Sequence, residues 1–429
     1  MKRKKSMLAA LLLSCLGISG VWGQNFDTYF ENRTLRLDYT FSGTDKQQQL
    51  FVDQLCSFPG WAGRRHHLKD LHLRGYGQIT MCDAATGDTI YRNSFATLFQ
   101  EWQGTEEATR VAKSFENCFL VPYPKNKVNI TVSLFDNRGK ISSSLTHPVD
   151  PKDILIRRLD SLPVTPHRYI RQNGSPERCI DVAFVAEGYT AEQMPQFYKD
   201  CEVAVEALLD HEPFKSQQKH FNFVAVASES DDSGVSIPGK GIWKKTAVDS
   251  HFDTFYSDRY LTTLHLKQLH NLLAGVPYEH IVILANTENY GGGGIYNSYT
   301  LTSSRHESYR SVVVHEFGHS FAGLADEYYY DDEFEPMYPA GVEPYEQNIT
   351  TLADFDSKWK DMLPEGTPIP TPATGKDLYT KIGVYEGAGY QSKGVYRAFQ
   401  DCRMKTNDAP VFCPVCVRIL DRLIRFYTE

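Results

Sequence analysis

His315-Glu316-Phe317-Gly318-His319-Ser320-Phe321-Ala322-Gly323-Leu324-Ala325-Asp326-Glu327-Tyr328 is the stretch around which the rest of this chain is organised. Histidines at i and i+4 lie one above the other on a helix face. Two imidazoles so placed can reach one Zn2+ at about 2.0–2.1 Å. Glu316, one residue on, points beside such an ion and can take a proton from its water. Upstream, Ser304-Arg305-His306-Glu307 has the Ser-x-x-Glu form of a capping box. A helix is therefore predicted to start there, run through Val312, Val313 and Val314, and stop at Gly323, which can adopt positive φ. A tight catalytic site needs a third protein ligand. Asp326, seven residues after His319, is placed to swing back to the metal, and Glu327 is the next candidate. Glu343 lies beside Pro344 in a loop-like stretch and suits a ligand on a later helix poorly.

The fourteen residues 315–328 resemble the extended zinc motif of the igalysins, the IgA-peptidase family of metzincin-type metallopeptidases. The resemblance runs from about Cys179 to the C-terminus. It implies one catalytic Zn2+ and an N-terminal β-sandwich ahead of the catalytic domain. In the general metzincin pattern a Gly follows the second His by three residues and the third ligand by six. Ala322 and Ala325 occupy those places here, and one extra residue moves the pair to Gly323 and Asp326, as the igalysin pattern implies. Metzincins also carry a methionine turn beneath the zinc. Asp401-Cys402-Arg403-Met404 looks like it, with the Met404 sulfur supporting the imidazoles without binding the metal; taken alone, Met404 could equally be ordinary core.

Working outward, residues from Cys179 onward alternate between strands and helices. Ile180-Asp181-Val182-Ala183-Phe184-Val185-Ala186 reads as a buried strand, and 191–209 as an amphipathic helix with Phe197, Cys201, Val205 and Leu208 on one stripe. A strand over 221–227, a helix over 260–273 and a buried strand over 280–285 follow. Gly291-Gly292-Gly293-Gly294 lacks the Lys-Ser/Thr of a phosphate-cradling loop and leads into a predicted edge strand over 295–301. In metzincin-like enzymes that strand pairs with substrate backbone, so Ile295 and Tyr296 are candidate substrate contacts, together with Tyr396. Tyr328, Tyr390 and Tyr396 are candidate donors to a developing oxyanion. Glu187-Gly188-Tyr189 ends the first strand and is placed to border the site. Asp231-Asp232 and Asp331-Asp332-Glu333 lack calcium-loop spacing and read as solvated loops.

The first third is strand-like. Thr34-Leu35-Arg36-Leu37-Asp38-Tyr39-Thr40-Phe41 alternates strictly, 76–91 reads as a hairpin turning at Ala85-Thr86-Gly87-Asp88, and 127–135 is a half-buried strand. This spacing predicts a β-sandwich with a structural or adhesive role and no catalytic constellation. Pro-rich segments at 148–151 and 163–176 read as a linker and the approach to a second domain. The expected architecture is α+β: a signal peptide over 1–23, a β-sandwich over 24–160 and a metzincin-like α/β zinc-peptidase domain over 161–429.

The chain has 429 residues, 41% hydrophobic, with a formal net charge of −8. It is long enough for two domains, and it carries no basic run outside its first residues, which argues against a nucleic-acid partner. Lys2, Arg3, Lys4 and Lys5 precede an apolar stretch that ends in small residues near Gly23, the pattern of a secretory signal. A lipoprotein variant would use Cys15. No other stretch is apolar and long enough to span a membrane. The expected location is therefore secreted or cell-envelope, periplasm or outer surface. Eight cysteines remain beyond the signal, an even number that permits disulfides. Cys413-Pro414-Val415-Cys416 could be a redox motif, half of a structural zinc site, or a disulfide participant; pairing of Cys402 with Cys413 or Cys416 is the favoured expectation.

The function expected is an exported zinc-dependent metalloendopeptidase, hydrolysing extended polypeptides, host or extracellular proteins among them, with a zinc-activated water and Glu316 as general base. Its alternatives are a zinc hydrolase of non-protein amides such as those of cell walls, a surface-binding module with a vestigial metal site, and a disulfide-exchange protein built on the cysteine pair.

Overall fold

The computed structural model describes residues 26–330 and 337–429. The signal segment, Cys15 and the cluster Asp331-Asp332-Glu333 lie outside the described residues. The N-terminal region forms two four-stranded sheets. In one, Phe30–Gly43 lies between Gln48–Pro59 and Lys113–Pro124, antiparallel to both. In the other, Gly77–Asp83 lies between Thr89–Phe95 and Val128–Phe135, and Ile141–Val149 closes the far edge. Strand periodicity explains the packing. Val128, Ile130, Val132 and Leu134 point inward and are buried, while Asn129, Thr131 and Ser133 alternate outward. They meet Leu35, Leu37, Tyr39 and Phe41 of the facing sheet in one core.

The outer face of the first sheet is covered around Arg36 and Asp38. Arg36 and Asp38 are fully buried and paired at 2.8 Å. Arg36 Nη1 also donates to Asn271 Oδ1, 2.8 Å away, at the end of the second region's short helix Leu266–Leu272. That sheet is therefore clamped between its partner sheet and the second half of the chain.

The second region is mixed α/β around a six-stranded sheet, ordered Gly292–Ile295, Tyr299–Ser303, His280–Ala285, Ile180–Glu187, Phe221–Val226 and His167–Arg171. The inner four strands are parallel and the two edge strands antiparallel. Every residue of Ile180–Glu187, Phe221–Val226 and His280–Ala285 is buried, as expected of strands covered on both faces. Val182, Phe184 and Ala186 face the helices Met194–Leu209, Tyr309–Ala322 and Pro414–Thr428. Ala183 and Val185 face the other way, into the core shared with the N-terminal sheets.

Three local expectations change. The helix predicted over 260–273 is only Leu266–Leu272, because His251 bridges Thr262 and holds the preceding chain extended. Ser304 is not a helix cap: its hydroxyl donates to the Ala285 carbonyl at 2.9 Å and meets Tyr189 OH at 2.5 Å, and the helix begins one turn later, at Tyr309. The predicted edge strand over 295–301 is instead a hairpin, in which the glycine run itself forms the outer strand.

Glu187 does not reach the site either. It is fully buried and accepts hydrogen bonds from Thr246 Oγ1 (2.6 Å), Val248 N (2.9 Å) and Ser250 N (2.8 Å). It pins the loop 246–250 to the sheet. Glu187→Ala should destabilise the protein by about 2–4 kcal/mol in urea unfolding, since three buried donors lose their acceptor, while Glu187→Gln should cost less. Equal midpoints for wild type and alanine variant would contradict this role.

Candidate metal centre

Helix Tyr309–Ala322 buries Val313, Val314, Phe317 and Phe321 against the sheet and turns His315, Glu316 and His319 toward a cleft. Gly323 ends it in a left-handed conformation (φ 58°), a position where a side chain would be strained. That reversal carries the Leu324 carbonyl to 2.5 Å from His319 Nδ1. His315 Nδ1 lies 2.9 Å from the Arg403 carbonyl. A carbonyl can only accept, so both Nδ1 atoms carry the proton and both Nε2 atoms present lone pairs to the cleft. The two Nε2 atoms are 3.0 Å apart. Asp326 Oδ1 lies 3.0 Å from the first and 3.2 Å from the second.

These three atoms form a triangle with edges close to the ~3.3 Å expected between tetrahedral ligands about 2.0–2.1 Å from a zinc ion. Asp326 is 6% exposed, and among the described residues its Oδ1 has no hydrogen-bond donor apart from the two imidazoles it faces. A buried carboxylate oxygen 3.0 and 3.2 Å from two ring nitrogens calls for positive charge between them, a metal ion or, without one, a proton on Nε2. The residues therefore fit a divalent metal, and His315, His319 and Asp326 are the ones that could hold it. Glu316 also brings an oxygen within 4.8 Å of the two imidazole nitrogens. Burial works against charge on His319, but the Asp326 carboxylate overrides it and pushes the imidazole up to about 9. Burial would raise Asp326 as well, yet the two imidazoles hold it far below the usual carboxylate range. Burial raises Glu316, opposed by the same histidines.

The surroundings fix this geometry. A Cβ on Gly292 would sit 2.9 Å from Glu316 Oε1, and one on Gly294 would sit 2.3 Å from the Glu316 carbonyl. Only glycines let the edge strand lie directly against the helix. Beneath the helix, Met404 is fully buried, and a Cβ on Gly318 would meet its sulfur at 2.8 Å. Asn348 holds the turn from the side: it bonds Ala325 N (2.8 Å) and Ala325 O (2.9 Å), and donates to Glu327 Oε1 (3.0 Å). Tyr390 OH donates to Asp326 Oδ2.

The family described as IgA Peptidase M64 matches residues 169–381 and 374–424, and the one described as Peptidase M64 N-terminus matches residues 25–146. The chain belongs to the IgA peptidase M64 family. It is therefore a metallopeptidase. No curated protein matches the chain. Among the described residues, no helix is long and apolar enough to cross a membrane.

The cleft of this M64 chain, about 1140 Å³, is lined from both regions. Ile295 and Tyr296 border it; Tyr396 does not, because it pairs with Thr350 and Glu386 within a small sheet beside the cleft. Of the tyrosines named as oxyanion donors, Tyr328 and Tyr390 line the cleft. Glu343 is paired with Lys358 at 3.6 Å, away from the triangle, and Glu327 faces a different cluster. The N-terminal region was expected to be only structural or adhesive, but its helix Leu98–Gln103 and the segment before it form one wall. Ala96 N donates to the Tyr296 carbonyl at 3.0 Å, and Asn297 Nδ2 to the Ser94 carbonyl at 2.8 Å. Glu101 accepts from Tyr260 OH and is pushed up by burial to about 7. No motif marks Glu101, Asn348 or Glu346, which also lines the cleft; only the tertiary fold brings them to the site.

Gly294→Ala should be destabilised by roughly 1–3 kcal/mol and lose most metal affinity, because the new methyl must displace the helix backbone at Glu316. Calorimetry and metal analysis check this; an alanine variant with wild-type Tm and metal content would contradict the close-approach account.

Proposed function

We propose that this M64 peptidase is an exported zinc-dependent endopeptidase, built from a β-sandwich over 24–160 and a catalytic domain over 161–429. His315, His319 and Asp326 would be the metal ligands, Glu316 the general base, and Met404 the support beneath them. The observation that carries this is the triangle of two imidazole nitrogens and one buried carboxylate oxygen, with a second carboxyl, that of Glu316, beside it. A zinc ion held there supplies a Lewis acid that polarises a carbonyl and makes water acidic near neutrality.

The chain's own groups do the rest. Glu316, raised by burial, accepts the proton of the attacking water at a carboxylate oxygen and delivers it to the departing amine. Tyr390 OH holds Asp326 Oδ2, so the carboxylate keeps Oδ1 turned toward the imidazoles. The substrate would run extended along Gly292–Ile295, the outermost strand of the sheet, past the point where the Arg259 carbonyl takes the Gly292 N–H. Ile295 and Tyr296 would contact it. Tyr76, Tyr338, Tyr345 and Glu346 would form the far wall and select side chains. The family description names immunoglobulin A; selectivity for any one protein rests on those walls. An N-terminal signal over 1–23 fits a secreted or cell-envelope site of action.

Glu316→Gln should keep the fold and the metal yet lose at least about 100-fold in peptide hydrolysis. Mapping new N-termini in a protein library digested by wild type and variant measures this. Cleavage by the variant at near wild-type rates would refute the assignment of Glu316, and no peptide cleavage by the wild type would refute the substrate class.

A further inference from the structure

Behind the candidate catalytic triangle lies a second group of ligand-type side chains that peptide hydrolysis does not use. Glu327, Cys402, Cys413 and Cys416 are all buried, and one ligand atom from each lies within 4.8 Å of every other. Cys402 Sγ and Cys416 Sγ are 3.9 Å apart, and Cys416 Sγ lies 3.3 Å from Glu327 Oε1. Around a zinc ion with Zn–S of about 2.3 Å and Zn–O of about 2.0–2.2 Å, tetrahedral edges are ~3.8 Å and ~3.5 Å. Glu327 is fully buried, and among the described residues its Oε2 has no hydrogen-bond partner. We propose that Cys402, Cys413, Cys416 and Glu327 hold a second, structural metal ion of the zinc class.

The local sequence builds such a site. Cys413 is the N-cap of helix Pro414–Thr428, with Pro at its first position, so Cys413 and Cys416 sit one turn apart at the helix start. The Cys413 N–H donates to Cys402 Sγ at 3.2 Å, the kind of bond that steadies a metal-bound thiolate. A disulfide accounts for the cluster less well. All eight described cysteines are unpaired, and the 3.9 Å between Cys402 and Cys416 is far from an S–S bond of about 2.03–2.05 Å. One disulfide would also leave a third thiol against a buried carboxyl. Thiol exchange is disfavoured because Cys413 is 3% exposed and Cys416 fully buried, out of reach of a partner.

The placement gives the ion its purpose. Glu327 follows Asp326 directly, and its N–H donates to the Met404 carbonyl at 2.8 Å. Cys402 precedes Met404 by two residues, and the other two thiols start the last helix. One ion would tie the chain after the histidine helix, the methionine turn and the final helix into one support under the first site. This stands independently of the catalytic assignment.

The test is zinc content per full chain, measured by mass spectrometry on protein purified without chelator. Wild type should carry two ions, His315→Ala/His319→Ala one, and Cys413→Ser/Cys416→Ser at most one. Cobalt loaded into the histidine double variant should give a thiolate-to-metal charge-transfer band in the near ultraviolet. A histidine variant with no zinc and no such band would overturn the proposal, as would a Cys402–Cys416 disulfide found by peptide mapping of unreduced wild type. Should the cysteine variant prove insoluble, the histidine variant decides alone.

Discussion

One buried carboxylate oxygen, Asp326 Oδ1, governs the second half of this protein. It is brought to 3.0 and 3.2 Å from two imidazole nitrogens whose protons lie on their far sides. Such an arrangement is repulsive until a positive charge stands at its centre. Keeping it assembled requires backbone on every side: the Leu324 and Arg403 carbonyls orient the rings, and Tyr390 takes the other carboxylate oxygen. The helix, the glycine strand and the turn at Met404 form the scaffold for that one contact.

The scaffold is built by exclusion as much as by attraction. The edge strand approaches the helix so closely that only hydrogen atoms fit at Gly292 and Gly294. Gly318 admits the Met404 sulfur in the same way from below. The N-terminal sheets close the remaining side. Their first sheet is anchored by the buried Arg36–Asp38 pair and the bond from Arg36 to Asn271, so helix Leu98–Gln103 is held at the mouth of the cleft. A module of ordinary sandwich pattern thereby becomes part of the cleft wall.

The histidine helix, its stop at Gly323 and the return of Asp326 were legible because they depend on local geometry: helical spacing and a glycine able to take positive φ. The buried strands were legible from their apolar runs. Ser304 misled because Ser-x-x-Glu is also what a buried serine bonding to the Ala285 carbonyl looks like. The glycine run misled because glycine signals a loop in isolation, and its need for close approach to Glu316 is visible only once the helix lies beside it. Glu101, Glu346 and Asn348 carry no signal at all; they reach the site by contacts between segments far apart in the chain. Arg36 and Asp38 read as outward-facing residues of a half-buried strand, and only the covering helix makes them internal.

The most direct measurement is anomalous diffraction from a crystal of the zinc-loaded protein, collected on both sides of the zinc absorption edge. A peak is expected about 2.0–2.2 Å from His315 Nε2, His319 Nε2 and an Asp326 oxygen together. Density that leaves those three side chains without a shared peak, or that turns Asp326 away from the imidazoles, would contradict it.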